Sequence, residues 1–347
     1  MSPRVTIAQV AGEAGVSAMT VSNVLNKRPG ASQQTRQRVL SVVERLGYVR
    51  SQAARGLKTG RTGLIGVLML DLTTQYALEI VRGIADELAT VEYEVLICAS
   101  YQDATREHER LSFLAGGLVD GIVLIAPELE DRSVEVLRDR ECPAIVVDPR
   151  RMDVDLPRIV ADNYDGMRRA TEYVLGLGHQ RIAFLGGDPD FDSAAERDRG
   201  FADAMRLAGR AVDGTLRRVC DYSYGSGFRQ ASDLLVEHRP TAIVAASDLI
   251  AFGAIDAVRA HGLQVPRDIS VVGFDDLPHA GDSVPGLTTV RQPLHDMGQL
   301  AARCLLNTLD QRPALPDVLV QPTTLVIRDT VAARAIDDEA GAVRTAG

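Results

Sequence analysis

The chain has 347 residues, with 38 lysines and arginines against 47 aspartates and glutamates, so its formal net charge is −9. Its length suits two or three domains, and its 46% hydrophobic and 24% charged content excludes a disordered chain, a collagen-like chain and a coiled-coil rod. The longest apolar runs, such as residues 63–70, are shorter than the ~18 residues of a membrane helix. No apolar secretory segment follows the start Met, and the four cysteines form no CxxC pair, so we expect reduced thiols and a cytoplasmic location.

The charge is divided unevenly between the start of the chain and the rest. Residues 1–62 carry ten basic and two acidic residues, a formal charge of +8. The other 285 residues carry 28 basic and 45 acidic residues, a formal charge of −17. A short cationic head on a long anionic body favours a polyanion as the partner of the head, although a basic surface without any partner would show the same charge.

Three short helices are predicted near the start of the chain. Thr6 followed by Gln9 has the spacing of a capping box, and the apolar residues after it recur every three or four positions up to Gly15, which can end a helix. Ser17 can cap a second helix and Ser32 a third. A helix, a tight glycine turn, a helix, a loop and a helix form the helix-turn-helix arrangement.

The outer face of the second helix carries small side chains instead of large charges. Small polar groups can approach base edges or phosphates in the major groove, and apolar ones can contact thymine methyl groups. A merely solvated helix would more often carry Glu and Lys on this face. The predicted DNA-contacting residues of this region are Thr6, Ser17, Ala18, Met19, Thr20, Ser22, Asn23 and Asn26.

Residues 5–26, VTIAQVAGEAGVSAMTVSNVLN, strongly resemble the headpiece of the lactose-repressor/galactose-repressor (LacI/GalR) family of bacterial transcription regulators. The resemblance extends from about Val5 to about Thr330. It implies that phosphates and the helix start are held by Ser17, Thr20, Ser22 and Asn26, and that bases are read by Ala18, Met19 and Asn23. Many members have Arg at the position of Asn23. Because Asn pairs with adenine edges and Arg prefers guanine, we expect a divergent operator.

Residues 50–60 form a short basic linker after the predicted headpiece. A segment of this length is too short to be a stable helix in water, where ~12–15 residues are already marginal. The resemblance implies a hinge that becomes helical only on DNA, with Leu57 wedged into the minor groove and Arg55 beside it. A plain basic linker is the alternative.

From Gly63 onward, apolar β-branched runs alternate with amphipathic stretches. This alternation predicts βαβ units, with parallel sheets covered by helices. The predicted strands are 63–70, 93–99, 121–125, 144–147, 181–186, 241–245 and 269–274, and the predicted helices include 75–90, 163–177, 194–208, 226–238 and 249–261. So many units make two sheets, and a near-repeat predicts two similar lobes with a ligand cleft at the strand carboxyl ends.

The expected fold is therefore a small all-α helix-turn-helix headpiece plus an α/β core of two lobes, which matches the periplasmic-binding-protein-like core that the family shares. We expect the headpiece with its hinge in residues 1–61. The expected parts of the core, residues 62–333, are 62–161 with 291–322 for one lobe and 162–290 with 323–333 for the other. Residues 331–347 lack a leucine heptad, so we expect a dimer, with residues 334–347 as a flexible tail.

Polar side chains at the strand ends are the candidates for contacts to an effector in the cleft. Arg and Asp make charge-assisted hydrogen bonds, and Tyr offers a stacking surface. The candidates are Asp71, Tyr76, Asp162, Arg197, Tyr222, Ser247 and Asp275. By the resemblance, Arg197 and Asp275 are the strongest polar clamps.

Simpler structural roles compete with effector binding at several of these positions. A structural salt bridge is the alternative for Arg197, and packing in a lobe core is the alternative for Tyr76. Helix capping is the better interpretation of Asp248 and a plausible one for Asp276. The glycine pair before Asp188 follows a predicted strand and is interpreted as a turn.

Catalytic signatures do not occur in the sequence. The six histidines have no HxH or HExxH spacing, and no GxGxxG, P-loop or GxSxG motif is found. We therefore expect no enzyme activity, cofactor or metal. The expected function is that of a homodimeric, nucleoid-associated repressor of a near-palindromic operator, controlled by a sugar or sugar derivative, although a nucleoside or purine would use similar groups. The alternative is a solute-binding receptor or sugar-processing enzyme with a basic N-terminal extension.

Overall fold

The structure is a computed structural model that describes residues 5–25, 29–48, 61–91, 93–313 and 316–334. The chain divides into two compact units, Met1–Thr62 and Gly63–Gly347. Three of the predicted DNA contacts, Asn26, Arg55 and Leu57, lie outside the described residues. The same is true of the predicted tail from residue 335 onward and of the whole predicted hinge, residues 50–60.

The described part of the first unit folds into three helices, which are α1 (Ile7–Ala14), α2 (Ala18–Leu25) and α3 (Gln33–Leu46). The predicted capping box is present, because the Thr6 side chain accepts from the Gln9 amide and the Gln9 side chain accepts from the Thr6 amide. Gly15 ends α1 in the left-handed conformation, with φ of 62°. The helices pack around small apolar side chains, which are Val10, Ala11, Ala14, Val21, Val24, Val39 and Val42. The predicted helix-turn-helix is confirmed.

Two six-stranded sheets form the described part of the second unit. Their strands are β1 (Leu64–Met69), β2 (Glu94–Ala99), β3 (Gly121–Ile125), β4 (Ala144–Val147), β5 (Arg158–Ala161), β6 (Ile182–Gly186), β7 (Arg217–Val219), β8 (Ala242–Ala245), β9 (Ser270–Asp275), β10 (Thr288–Arg291), β11 (Val318–Gln321) and β12 (Thr324–Val326). The strand orders are β11-β5-β4-β3-β1-β2 and β12-β10-β9-β8-β6-β7. Every neighbouring pair is parallel except β10 with β12.

Nine further α-helices connect these strands in the described chain. They are α4 (Gln75–Leu88), α5 (Ala104–Ala115), α6 (Asp131–Asp139), α7 (Asn163–Gly176), α8 (Asp192–Leu207), α9 (Tyr224–Glu237), α10 (Asp248–Ala260), α11 (Pro278–Asp282) and α12 (Leu294–Leu309). The seven predicted strands and the predicted helices are all confirmed, as is the α/β fold class. None of the helices described is both long and apolar enough to cross a membrane.

The strands read as continuous apolar runs because both faces of the sheet are buried. In β1, Ile65 and Val67 pack with residues of α4 and α12, whereas Leu68 packs with Leu111 and Leu114 of α5. We refer to the first sheet with its helices as the first lobe, and to the second sheet with its helices as the second lobe. The chain passes between the lobes after β5, β10 and β11.

Candidate functional site

The predicted DNA-reading residues of the headpiece lie at the start of α2 and along it. Ser17 precedes the helix, and its hydroxyl accepts from the Thr20 amide at 3.1 Å and shares a 2.9 Å hydrogen bond with the Thr20 hydroxyl. Ala18 is exposed and Met19 is 60% exposed, whereas Ser22 and Asn23 are half-buried. The helix thus presents short polar and flexible apolar groups without a large charge.

A cavity lies between the two lobes of the second unit, at the carboxyl ends of several strands. Both lobes contribute apolar and polar side chains to its wall. The polar side chains that line it are Thr74, Tyr76 and Asp148 from the first lobe, and Ser193, Arg197, Tyr222, Ser247 and Asp275 from the second. We refer to these eight residues as the polar wall.

Arg197 is the central cation of the polar wall and is 3% exposed. Its Nε donates to Asn163 Oδ1 at 2.8 Å, and its Nη1 donates to the Ala246 carbonyl at 2.6 Å. Nη1 also lies 3.9 Å from Asp275 Oδ1, and the guanidinium lies 3.9 Å from the centre of the Phe274 ring. The guanidinium is therefore held in one orientation. Arg197 forms a structural ion pair, which was the alternative to effector binding, and the same side chain also lines the cavity.

Two buried carboxylates face this single guanidinium. Asp275 accepts from Gln292 Nε2 at 2.7 Å, and burial raises the pKa of Asp275 to about 7 although Arg197 opposes the shift. Asp148 accepts from the Tyr76 hydroxyl at 2.8 Å, and burial raises the pKa of Asp148 as well. The wall thus holds more acidic than basic groups, and each ionised carboxylate is costly to keep buried.

Tyr222 forms the aromatic side of the cavity. Burial raises its pKa to about 12, and its buried hydroxyl has no hydrogen-bond partner among the described residues. A Cβ added at Gly187 would lie 2.0 Å from this hydroxyl and 2.2 Å from Cζ. Gly187 is therefore more than a turn residue, because only a glycine lets the phenol ring pack directly against the backbone there.

Strained backbone is concentrated in the wall of this cavity. Four lining residues have positive φ, which are Ala126 at 48°, Asp148 at 51°, Tyr222 at 61° and Asp275 at 123°. Left-handed conformations of residues other than glycine cost of order 1–3 kcal/mol each and cluster at functional sites. The fold maintains this cost where the polar groups converge, which supports a binding role for the cavity.

Two of the predicted effector contacts do not line the cavity. Asp71 Oδ1 accepts from the amides of Thr73 and Thr74, at 2.6 and 3.0 Å, and so forms the turn before α4. Asp162 caps α7 by accepting from the Asp165 amide at 3.0 Å. Both carboxylates serve the local backbone, which is the simpler role of an Asp that follows a strand.

The interpretation of Asp248 and Asp276 as helix caps was wrong. Asp248 is fully buried and accepts from Thr289 Oγ1 at 2.5 Å and from the Leu277 amide at 2.8 Å. Ser247, which also lines the cavity, is the residue that caps α10. Asp276 forms ion pairs with two arginines, Arg291 at 2.6 Å and Arg328 at 2.7 Å.

Three residues of the polar wall, Thr74, Asp148 and Ser193, and the aromatic Phe191 beside them were not predicted from the sequence. Asp148 directly follows β4, so the rule that located the other strand-end residues also applied to it. Phe191 and Ser193 lie at the start of α8, after the strand that carries the glycine pair. An aromatic residue at such a position has no distinguishing sequence pattern, so only the fold locates Phe191.

A helix-turn-helix unit and a two-lobed α/β unit with a polar cavity, joined in one chain, define a ligand-responsive DNA-binding regulator. The family model described as "Bacterial regulatory proteins, lacI family" matches residues 6–51, and the one described as "Periplasmic binding protein-like domain" matches residues 171–331. The chain is 37% identical over 309 residues to the HTH-type transcriptional regulator RegA of Clostridium saccharobutylicum, covering 88% of this chain and 93% of RegA.

Solved structures agree with this assignment over nearly the whole chain. The Lac repressor dimer bound to operator and the anti-inducer ONPF has a TM-score of 0.84 and 30% identity, covering 95% of this chain and 100% of that chain. The complex of the transcriptional regulator CelR with cellobiose has a TM-score of 0.72 and 31% identity, covering 94% and 100%. The protein belongs to the lacI family of bacterial regulatory proteins, and the predicted family and its role as a DNA-binding transcription regulator are confirmed.

Proposed function

We propose that this regulator is a homodimeric repressor, and that a sugar or sugar derivative bound between its lobes changes its affinity for a near-palindromic operator. The polar wall carries this proposal, because an oriented guanidinium, two carboxylates and a phenol face one cavity. Sugar hydroxyls can donate to the carboxylates and accept from the guanidinium, and an aromatic ring packs against the apolar face of a sugar ring. The binding of cellobiose by CelR supports the same ligand class.

The charge of the polar wall favours a neutral ligand. Asp148 and Asp275 provide two carboxylates, whereas Arg197 provides one guanidinium that already contacts protein oxygens. A phosphate or carboxylate on the ligand would add buried negative charge without a counter-ion, which is strongly unfavourable. We therefore propose a neutral sugar in preference to a sugar phosphate or a sugar acid.

The operator is proposed to lie against the surface of α2. Short polar groups there can reach base edges and phosphates, and the exposed Met19 can contact thymine methyl groups. The proposed contacts among the described residues are Thr6, Ser17, Ala18, Met19, Thr20, Ser22 and Asn23. Contacts of Asn26, Arg55 and Leu57 remain predictions. The operator-bound Lac repressor dimer supports operator binding and the homodimer.

Control by the effector requires that it binds the two arrangements of the lobes with different affinity. The polar wall meets this requirement, since its residues come from both lobes and are brought together only when the lobes are close. The proposal contains no catalytic step and places the protein with the nucleoid in the cytoplasm. The regulators to which the chain is similar support a DNA-binding role without catalysis.

Effector binding is tested on the full chain by calorimetric titration with cellobiose, ribose, glucose, glucose 6-phosphate and adenosine. We expect one of the neutral sugars to bind and glucose 6-phosphate not to bind. Binding of adenosine alone would replace the sugar class with a nucleoside. Binding of glucose 6-phosphate above the neutral sugars would overturn the argument from the charge of the wall.

Operator binding is tested by selecting duplexes from a random DNA library and titrating the selected site against salt. Phosphate contacts release counter-ions, so the affinity must fall steeply as the salt concentration rises. We expect a near-palindromic site and a change in its affinity when the sugar identified above is added. A flat salt dependence would contradict a phosphate-driven contact, and a site without symmetry would contradict the homodimer.

A further inference from the structure

The rim of the cavity carries a second set of contacts between the lobes, outside the polar wall. The Asp192 amide of the second lobe donates to the Arg150 carbonyl of the first at 2.9 Å. The Met152 amide of the first lobe donates to the Asp192 carboxylate. The Arg150 guanidinium lies over the ring of Phe191, 4.3 Å from its centre. These contacts join one short segment of each lobe without using any group of the polar wall.

Arg150 is fixed by its own lobe before it contacts the other. Its Nη1 donates to Glu128 Oε1 at 3.0 Å, and its side chain is 20% exposed. The loop that carries Glu128 is held in turn by the buried Glu107, which accepts from the amides of Glu128 and Leu129 at 2.9 and 2.7 Å. The guanidinium is therefore a rigid, partly desolvated surface, which is the setting in which cation–π contacts are strongest.

Phe191 transmits this contact to the ligand wall of the second lobe. It lines the cavity and directly precedes α8, the helix that carries Ser193 and Arg197. Its ring also lies edge-on to the ring of Tyr222, with 5.9 Å between the centres. Movement of Phe191 away from Arg150 would therefore open the rim beside the aromatic side of the cavity.

We propose that Arg150, Phe191 and Asp192 form a latch that holds the lobes together over the cavity and controls the passage of the effector. Arg150 and Asp192 are positioning residues, because they act through Phe191 and the first turn of α8. The proposal rests on the proposed function only in naming the cavity as the effector site. The latch contacts join residues of the two lobes and do not involve the ligand. They therefore bias the equilibrium between open and closed lobes whichever ligand binds. This bias sets how far a ligand can shift that equilibrium.

The latch is tested by amide hydrogen exchange of the full chain without any ligand. The reporters are the amides of Met152 and Asp192, which donate the two hydrogen bonds of the latch. We expect Arg150→Ala to speed their exchange about tenfold, because the stacked guanidinium no longer favours the closed arrangement. Arg150→Lys keeps the charge beside Glu128 but loses the planar stack, so it should show most of the same effect.

A neighbouring arginine provides the matched control. Arg151 is 69% exposed and pairs with Asp153 of its own loop at 2.7 Å. Arg151→Ala removes the same charge one residue away, so it should leave the two reporter amides at the wild-type exchange rate. Equal acceleration by Arg150→Ala and Arg151→Ala would overturn the latch.

A double-mutant cycle separates a latch from a general loss of stability. Phe191→Leu should speed the exchange of the two reporter amides as Arg150→Ala does. Phe191→Tyr keeps the aromatic ring, so its exchange rate should equal that of the wild type. Arg150→Ala should add little to the effect of Phe191→Leu. Arg151→Ala with Phe191→Leu should be additive. Full additivity of the Arg150 and Phe191 substitutions would sink the proposal. Since no ligand is present, failure of the latch and failure of the sugar to bind are separate outcomes.

Discussion

The DNA-facing surface of the headpiece and the polar wall of the core are built in opposite ways. The first consists of neighbouring residues on one short helix, and the partner of Ser17 is only three residues away. The second joins residues from distant parts of the chain, since Tyr76 and Asp148 are 72 positions apart. The first is exposed on a unit of formal charge +8, whereas the second is buried in a unit of −17. Substitutions should therefore change specificity in the headpiece and both stability and binding in the core.

The largest effect is expected from Arg197→Ala, which should abolish sugar binding and lower the free energy of unfolding by about 3–5 kcal/mol. The loss leaves Asp275 and the Ala246 carbonyl buried without their cationic partner. Urea denaturation and calorimetric titration measure the two effects.

Arg199→Ala on the same helix is the matched control. Arg199 is 58% exposed, its ion-pair partner Glu196 is three residues away, and its guanidinium lies 4.7 Å from the centre of the Tyr164 ring, outside the polar wall. It should cost less than about 1 kcal/mol. Similar losses in the free energy of unfolding from the two substitutions would show that a substitution in the polar wall costs no more than one on the exposed surface of α8.

The next effect concerns pH. The pKa of Asp275 is raised from 3.8 to about 7, so the folded state keeps a proton that the unfolded state loses first. The contribution of Asp275 to stability is therefore lost as the pH rises from 3.8 to about 7. We expect Asp275→Asn to gain stability relative to the wild type across this interval, measured by urea denaturation from about pH 4 to about pH 8.

The control for this titration is Asp268→Asn. Arg267 lowers the pKa of the exposed Asp268, so its contribution is fully present above 3.8 and should stay constant from about pH 5 to about pH 8. If Asp275→Asn also gives a constant difference over that interval, burial does not hold a proton on Asp275.

Gly187→Ala should weaken sugar binding while the protein stays folded, at a cost of about 1–3 kcal/mol for displacing the Tyr222 ring. The physical reason is the 2.0 Å approach between the new Cβ and the phenol oxygen. Gly176→Ala is the control, because a Cβ at Gly176 meets no atom within 4 Å. Calorimetric titration and thermal denaturation compare the two variants. Equal affinities for the sugar would contradict the role of Gly187 in positioning the Tyr222 ring.

The smallest effect is expected from Asn23→Ala in the headpiece. Loss of a base contact should lower the affinity for the selected operator about tenfold and relax the preference at one base pair per half-site. Stability should change little, because Asn23 is half-buried at the helix surface. Repeating the selection from random duplexes measures the operator affinity and the preference at that base pair. Gln37→Ala, at an exposed position of α3, should leave the selected sequence unchanged, and a shared change would argue against base reading by Asn23.

Local structure was predictable wherever the signal lies within one element. The capping box of Thr6 and Gln9 appears as its spacing predicts, and the continuous apolar strands identify buried parallel sheets. The five strands without a prediction, β5, β7, β10, β11 and β12, have only three or four residues each. Each also contains at least one polar residue, whereas the equally short β4 and β8 are wholly apolar and were predicted. A short segment of mixed polarity is not distinguished from a loop.

The sequence by itself determined the two units, their opposite charges and the surface of α2, because these depend on composition and on periods of a few residues. Tertiary structure alone decided which strand-end carboxylates meet. Asp148 faces Tyr76 and the cavity, whereas Asp71 and Asp162 turn back to their own backbone. It also decided that Phe191 meets Arg150 and that Gly187 seats Tyr222. The physical reason is that these contacts depend on side-chain direction and on the packing of two lobes, and neither leaves a period in the chain.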